Sequence, residues 1–281
     1  MTVTGAASDA RSALLGRLID HAALFPPASM TVPDAAAEDR KARGSPYAWM
    51  LARFVCPASK LEALGREMPW RGAPGLSVVL DTAHLAPIEL AADAGAPIEA
   101  VELRLSDPLP SPAFLAETTR RLRWTPYFEL ILGEGWHDTV PRAVGAVGES
   151  GGRVKLRCGG ETVPSVEQVA LVIAACRDAG CVLKATAGLH HPIRRESEHG
   201  FINLLAAVTF AHAQGTGAQE LESVLAEEDP RAFSIAADGI AVNERRADRS
   251  EIAAARDRLF ASIGSCSWRE PVEDLQALGV L

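Results

Sequence analysis

The stretch RVKLRCGGETVPSVEQVALVIAACRDAGCVLKATA, residues 153–187, holds one complete strand–helix–strand unit. RVKLRC (153–158) and CVLKATA (181–187) are short runs rich in branched and apolar residues, the composition of extended chain. Between them SVEQVALVIAACRDAG (165–180) is long enough for about four helical turns. Ser165 can cap its start and Gly180 can end it. Two strands joined through a helix run parallel, because a parallel pair needs a long crossover.

The same rhythm extends toward the N-terminus. Strand-like runs occur at WMLARFV (49–55), LSVVLD (76–81), IEAVELRL (98–105) and PYFELIL (126–132), so six runs recur every 22 to 28 residues. Six strands in series, joined through helices, predict an α/β fold, a (β/α)8 TIM-like barrel in preference to a doubly wound sheet. After residue 187 the rhythm breaks. GFINLLAAVTFAHAQ reads as a helix, and FSIAADGIAVNER (233–245) as two short strands around Asp238-Gly239, a hairpin signal. DRSEIAAARDRLFASIG reads as one helix capped by Asp248 or Ser250. No seventh or eighth barrel strand stands out, so the barrel is expected to be irregular in its last two units. Residues 13–23 read as a helix, and a proline-marked turn leads to a second. One barrel domain is therefore expected over 1–281, with a helical N-terminal extension over about 1–45.

Composition narrows the function classes. The 281 residues are 48% apolar and 23% charged, enough to bury a large core. A net charge of −8 is the wrong sign for a nucleic-acid binder. No apolar run reaches the ~20 residues of a membrane span, and the N-terminus lacks the basic-then-apolar pattern of a signal peptide. The cysteines, Cys56, Cys158, Cys176, Cys181 and Cys266, are odd in number and scattered. That suits a reducing compartment, so a cytoplasmic location is expected. A homo-oligomer is compatible with all of this. The basic residues are 24 Arg and only 4 Lys. Each lysine is therefore worth examining, because arginine cannot replace an amine nucleophile.

The strands carry charges that a doubly buried parallel strand should not have. Side chains two apart in a strand share a face. Glu102 and Arg104, Lys155 and Arg157, and Lys184 and Thr186 are such pairs, and Glu129 sits in the intervening run. If those faces look into one barrel, its mouth holds a cluster of carboxylates and cations. Barrel enzymes place their catalytic groups at that end, although structural ion-pair networks also occur.

Three loops extend the candidate site. Gly159 and Gly160 follow strand run 153–158 and precede a helix start, where backbone can approach an anion; a plain turn explains them equally well. ATAGLHHP leaves the next run. His190, His191 and His199 fall within ten residues and, with Cys158, offer an alternative set of ligands for a divalent metal ion. Acid–base work or anion contact is the commoner use of such histidines. GSCSWREP (264–271) places Ser265 and Cys266 in a small-residue turn suited to anion contact, or simply to starting the final helix.

ALFPPAS, KLRCGG, KATAGLHHP, HGFINLL and GSCSWREPVEDL together resemble an uncharacterised bacterial family of barrel-type proteins. That resemblance implies the barrel and carries no established function. AGCVLKATAG resembles the sixth-strand segment of deoxyribose-phosphate aldolase and related class I aldolases, over about ten residues. In that segment the Schiff-base lysine lies in a Lys-Thr-Ser-Thr-Gly context. Lys184 matches the lysine, Thr186 a small polar position and Gly188 the glycine. Those aldolases use a helper lysine on their seventh strand, and no lysine follows Lys184 here. Lys155 or Arg157 would have to depress the Lys184 pKa instead.

The sequence thus implies a barrel enzyme with lyase or aldolase-type chemistry on a small anionic or carbonyl substrate, with no cofactor. Lys184, Glu129 and His190 are the candidate catalytic groups. Glu102, Arg104, Lys155, Arg157, Gly159, Gly160, Thr186, His191, Ser265 and Cys266 are the candidate substrate contacts. The alternatives are a metal-dependent barrel enzyme and a protein that binds a small anion without catalysis.

Overall fold

A computed structural model describes residues 9–281. The first eight residues, part of the expected N-terminal extension, lie outside the described residues. The chain starts with helix α1 (Ala10–Leu15) and strand β1 (Ile19–His21), then helix α2 (Val32–Arg43). Six strands follow: β2 (Leu51–Pro57), β3 (Leu76–Val79), β4 (Ile98–Arg104), β5 (Thr125–Glu129), β6 (Arg153–Arg157) and β7 (Leu183–Thr186). Helices α3 (Leu61–Glu67), α4 (Ala86–Asp93), α5 (Pro112–Arg121), α6 (Trp136–Glu149) and α7 (Val166–Asp178) connect them. Every one of the six strand-like runs overlaps one of these strands. Ser165 caps α7 through a capping box with Gln168, as its sequence position implies.

Beyond β7 come α8 (Phe201–Gln214), α9 (Ala218–Ala226) and a three-stranded antiparallel sheet of β8 (Phe233–Ile235), β9 (Gly239–Val242) and β10 (Arg245–Asp248). The Asp238-Gly239 hairpin joins β8 to β9, with Ile235 opposite Ile240. The inserted sheet packs on α8, α10 (Arg249–Arg258) and α1, outside the barrel. Helix α8 is buried along Phe201–Ala211, with α7, α9 and α10 around it, which explains its almost unbroken apolar sequence. The chain closes with strand β11 (Phe260–Ser265) and helix α11 (Arg269–Ala277).

The barrel is closed and wholly parallel, in the order β1-β11-β7-β6-β5-β4-β3-β2. This is a (β/α)8 TIM-like barrel, and two sequence expectations are corrected by it. The segment over 13–23 is helical only at its start. Gly16 ends α1, and Ile19–His21 becomes the first barrel strand, paired with β11 and β2. The segment expected as one helix from Asp248 stops at Arg258, and its tail is β11. Asp248 is the cap, through a capping box with Glu251. A three-residue strand is too short to show alternation, and FASIGS lacks the apolar bulk of a buried strand. Their partners across the sheet, not their own composition, make them extended.

Position along β1 sorts its side chains. Asp20 faces the lumen and His21 the outside, where its Nδ1 lies 3.0 Å from Asp39 Oδ1 on α2. Arg43 Nε donates to the other oxygen of Asp39 at 2.8 Å. The seam between the chain's two ends is tied by Arg256 of α10. Its half-buried guanidinium donates to the carbonyls of Leu14 in α1 and Gly16 just after it, and of Phe260 and Ala261 in β11. Burial, partly offset by Asp20, pushes the Arg256 pKa down to about 10. Among the described residues no helix is long and apolar enough to cross a membrane.

Arg256→Met would leave these carbonyls without their donor. The variant is expected to lose about 3 kcal/mol of unfolding free energy, read from chemical denaturation. A loss under about 0.5 kcal/mol, the range of ordinary surface substitutions, would show that the seam holds without it.

Candidate active site

Strand register assembles the site. Arg104, Glu129, Lys155 and Lys184 form one continuous row across β4, β5, β6 and β7. One level deeper, Glu102 of β4 stands opposite Tyr127 of β5. All these side chains share the lumen face, as the alternation in the sequence implies. Together they form a chain of alternating charge at the C-terminal end of the sheet, where barrel enzymes carry their sites.

The chain begins at Asp20, which the sequence analysis missed. Lys184 Nζ lies 2.6 Å from Asp20 Oδ2 and 2.5 Å from Glu102 Oε1. Lys155 Nζ lies 2.8 Å from both Glu102 Oε2 and Glu129 Oε2. Arg104 Nε stands 4.0 Å from Glu129 Oε1 at the open end. Neutral donors complete the carboxylates. Ser77 Oγ donates to Glu102 Oε1 at 2.6 Å, Ser262 Oγ to Asp20 Oδ2 at 2.8 Å, and the Arg53 backbone N–H to Asp20 Oδ1 at 3.0 Å. Below the cluster the Tyr127 ring lies 5.9 Å from Lys184 Nζ, and its hydroxyl accepts from Arg153. Asp20, Ser77 and Ser262 escape a linear reading because two sit in unrecognised strands and serine carries no charge signal. The one available signal was the aspartate inside the apolar stretch LIDHAALF.

Lys184 does not behave as the sequence implied. Burial alone would depress its pKa, but the two carboxylates outweigh burial and raise it above the ordinary lysine value. Its cationic neighbour Lys155 does not depress it, because Glu102 stands between the two ammonium groups. For Glu102, burial favours the neutral acid, yet Lys184 and Lys155 hold its pKa well below the usual carboxylate range. The resting site is therefore ammonium and carboxylate, not neutral amine. Nor does the aldolase likeness carry its barrel position. With β1 counted, Lys184 lies on the seventh strand, and the next strand in the chain to join the barrel, β11, offers Ser262 and Gly264 in place of a helper lysine.

A cavity of about 690 Å³ opens above this cluster. Glu102, Glu129, Lys155 and Lys184 lie along it, with Arg104 and Arg157 nearer the solvent. Thr186, Gly159 and Gly160 also line it, as do Ser265 and Cys266 from the opposite loop. Thr186 Oγ1 is buried with no hydrogen-bond partner, a free polar atom on the cavity wall. The glycines have local reasons. A Cβ on Gly159 would lie 2.6 Å from the Cα of Gly188, so the loops after β6 and β7 touch there. Gly160, at φ +102°, lies under the Arg157 guanidinium, whose Nε donates to the Gly159 carbonyl. Among the described residues no carboxylate pairs with Arg157. Ser265 Oγ is turned onto the Ser267 carbonyl at 2.6 Å. Burial raises both the Cys266 thiol and the Cys158 thiol, the latter to about 12, so neither is an activated nucleophile.

The histidines separate. His190 lines the cavity, with Nδ1 3.1 Å from Glu270 Oε2. His191 is not among the lining residues. Its Nδ1 lies 2.6 Å from Asp274 Oδ2, which fastens the loop to α11. His199 is buried. Its Nε2 donates to the Pro164 carbonyl at 2.8 Å and its Nδ1 faces Arg194, the neutral tautomer that its burial-lowered pKa favours. The alternative metal set of His190, His191, His199 and Cys158 therefore does not converge. Among the described residues no three His, Cys, Asp or Glu side chains are grouped to hold a metal ion.

Charge in the cluster couples to stability. The depressed Glu102 pKa contributes stability above the unfolded carboxylate value near ~4.3, lost as pH falls toward the folded value. The raised Lys184 pKa contributes stability below the unfolded lysine value near ~10.4, lost as pH rises through the folded value. Unfolding free energy is expected to fall on both sides of that window. In Glu102→Gln the acid-side fall should be shallower than in wild type. Lys184→Met removes the ammonium between Asp20 and Glu102, leaves Asp20 only the more distant Arg53 guanidinium at 3.8 Å, and should cost about 3–5 kcal/mol at pH 7. Denaturant titrations across pH test all three, and a Lys184→Met protein as stable as wild type would remove the cluster from the stability account.

No protein-family model matches the chain, and no curated protein shows significant sequence similarity to it.

Proposed function

We propose that this barrel is an enzyme acting on a small carbonyl compound with an anionic group, by lyase-type chemistry centred on Lys184. One observation carries the reading. Lys184 and Lys155 are register neighbours on the cavity floor, and each ammonium gives two hydrogen bonds to carboxylates. An ammonium has three donors, so each lysine keeps one for a ligand. Two such donors suit an oxygen on which negative charge develops, as when a C–C bond breaks to an enolate. Apolar residues of similar volume would often stabilise a barrel floor better than buried ion pairs. The cluster is thus better explained by chemistry than by stability.

In this reading Lys184 acts as a fixed cation and proton donor. Glu129, partnered by Lys155 and close to the open end, exchanges the substrate proton. His190 is a second acid–base group at the rim. Arg104 and Arg157 hold the anionic end, with the guanidinium fork suited to a carboxylate or phosphate. Thr186 Oγ1 supplies one further polar contact. The five thiols are free and buried, which supports a reducing compartment as the place of action.

A second route through Lys184 is favoured by charge conservation. A ketone and an ammonium give an iminium and water with no change in net charge. The Asp20–Glu102 cradle fits either cation. The neutral amine needed for attack would arise by proton transfer to one of those carboxylates.

Borohydride reduction with a panel of small aldehydes and ketones separates the routes. A mass adduct on Lys184 establishes the imine; turnover without an adduct establishes the fixed-cation route. Lys184→Arg is expected to lower turnover at least about 10²-fold. Near-native turnover in that variant would overturn both routes. Tight binding of a small anion with neither adduct nor turnover would make the protein a binding protein.

A further inference from the structure

The cavity has two unlike halves. All its charged side chains come from β4, β5, β6, β7 and the loop after β7. The lining residues that precede β4 are all apolar: Ala22, Phe25 and the Pro26-Pro27 pair after β1, Val55 of β2, and Val79 and Leu80 at the end of β3. The boundary is sharp, because Val79 stands directly opposite Glu102 in the β3–β4 register. The apolar half is reached from the same opening and belongs to the same 690 Å³ volume. A wholly polar substrate of three or four carbons would leave that wall facing water. Cavities of this size and make-up hold ligands with a few polar groups and a larger apolar part.

We infer that the substrate is amphipathic. Its carbonyl and anionic groups face the β4–β7 arc, and an alkyl or aryl group of about four to six carbons lies against Phe25, Val55, Val79 and Leu80. This rests on the function proposed above and names its substrate class. The apolar arc sets specificity and the charged arc sets the chemistry. Val79 is the specificity-determining position nearest the reacting groups.

A chain-length series tests this. Calorimetric titration of the wild-type protein would use pyruvate, 2-oxobutanoate, 2-oxopentanoate, 2-oxohexanoate and phenylpyruvate. Affinity is expected to rise about fourfold per added methylene, equivalent to ~0.8 kcal/mol for each buried CH₂. The heat-capacity change of binding should grow more negative along the series. Val79→Asn should lower the 2-oxohexanoate-to-pyruvate affinity ratio. If pyruvate binds and affinity is flat along the series, the amphipathic inference is wrong and the proposed function stands. If no member binds at millimolar concentration, both fall together.

Discussion

The position of one ammonium group organises this barrel. Lys184 is fully buried and touches carboxylates from two other strands, Asp20 on β1 and Glu102 on β4. Removing either carboxylate would leave the buried ammonium with half its compensation, so these strands must be present, closed and in register. Glu102 then passes the constraint to Lys155, and Lys155 to Glu129. Each carboxylate between two cations fixes both. The same contacts that hold the lumen together thus set the protonation state of the site. They keep Lys184 charged where isolated burial would have made it neutral.

That dependence puts weight on closure of the barrel. Asp20 reaches Lys184 across β11, whose Ser262 hydroxyl donates to the same carboxylate oxygen that Lys184 contacts. β1 and β11 are the least strand-like pieces of the barrel by composition, and both are held from outside. Arg256 binds carbonyls on each side of the seam, and His21 and Asp39 anchor β1 to α2. Glycine at 264 serves the same economy of space. A side chain there would press on Thr186 Cγ2, 3.0 Å from an added Cβ, at the cavity wall. Of the long insertion between β7 and β11, the β8–β10 sheet packs on α8, α10 and α1, and the loop directly after β7 lines the cavity.

The local likeness to class I aldolases is informative where it breaks down. A lysine followed by a small polar residue and a glycine is present, but its surroundings are acidic instead of basic. An aldolase-type amine relies on a neighbouring cation to release its proton. Here two carboxylates retain the proton, and the chemistry available to the resting site is that of a cation. Short motifs specify which atoms are offered; partners from distant strands decide their charge.

Much of the barrel was legible in the sequence. The repeating strand–helix spacing gave β2 to β7, and period-two placement of Glu102, Arg104, Glu129, Lys155, Arg157, Lys184 and Thr186 assigned them to one face. Both are local properties: repeat length follows from the βαβ crossover, and alternation from strand geometry. Closure was not legible, because Ile19–His21 and Phe260–Ser265 become strands only through hydrogen bonds to each other and to β2 and β7. With closure unseen, Asp20 was invisible as a partner of Lys184, and the direction of the Lys184 pKa shift came out reversed. Where the three histidines sit was not legible for a related reason. His190 and His191 are at most nine residues from His199, yet α11 draws the first two and the Pro164 carbonyl the third to separate places. By itself the sequence determined which groups line one face of each strand. Only the tertiary structure decided which charges meet, because a Coulomb interaction depends on distance in space and on exclusion of water, and neither is encoded by position along the chain.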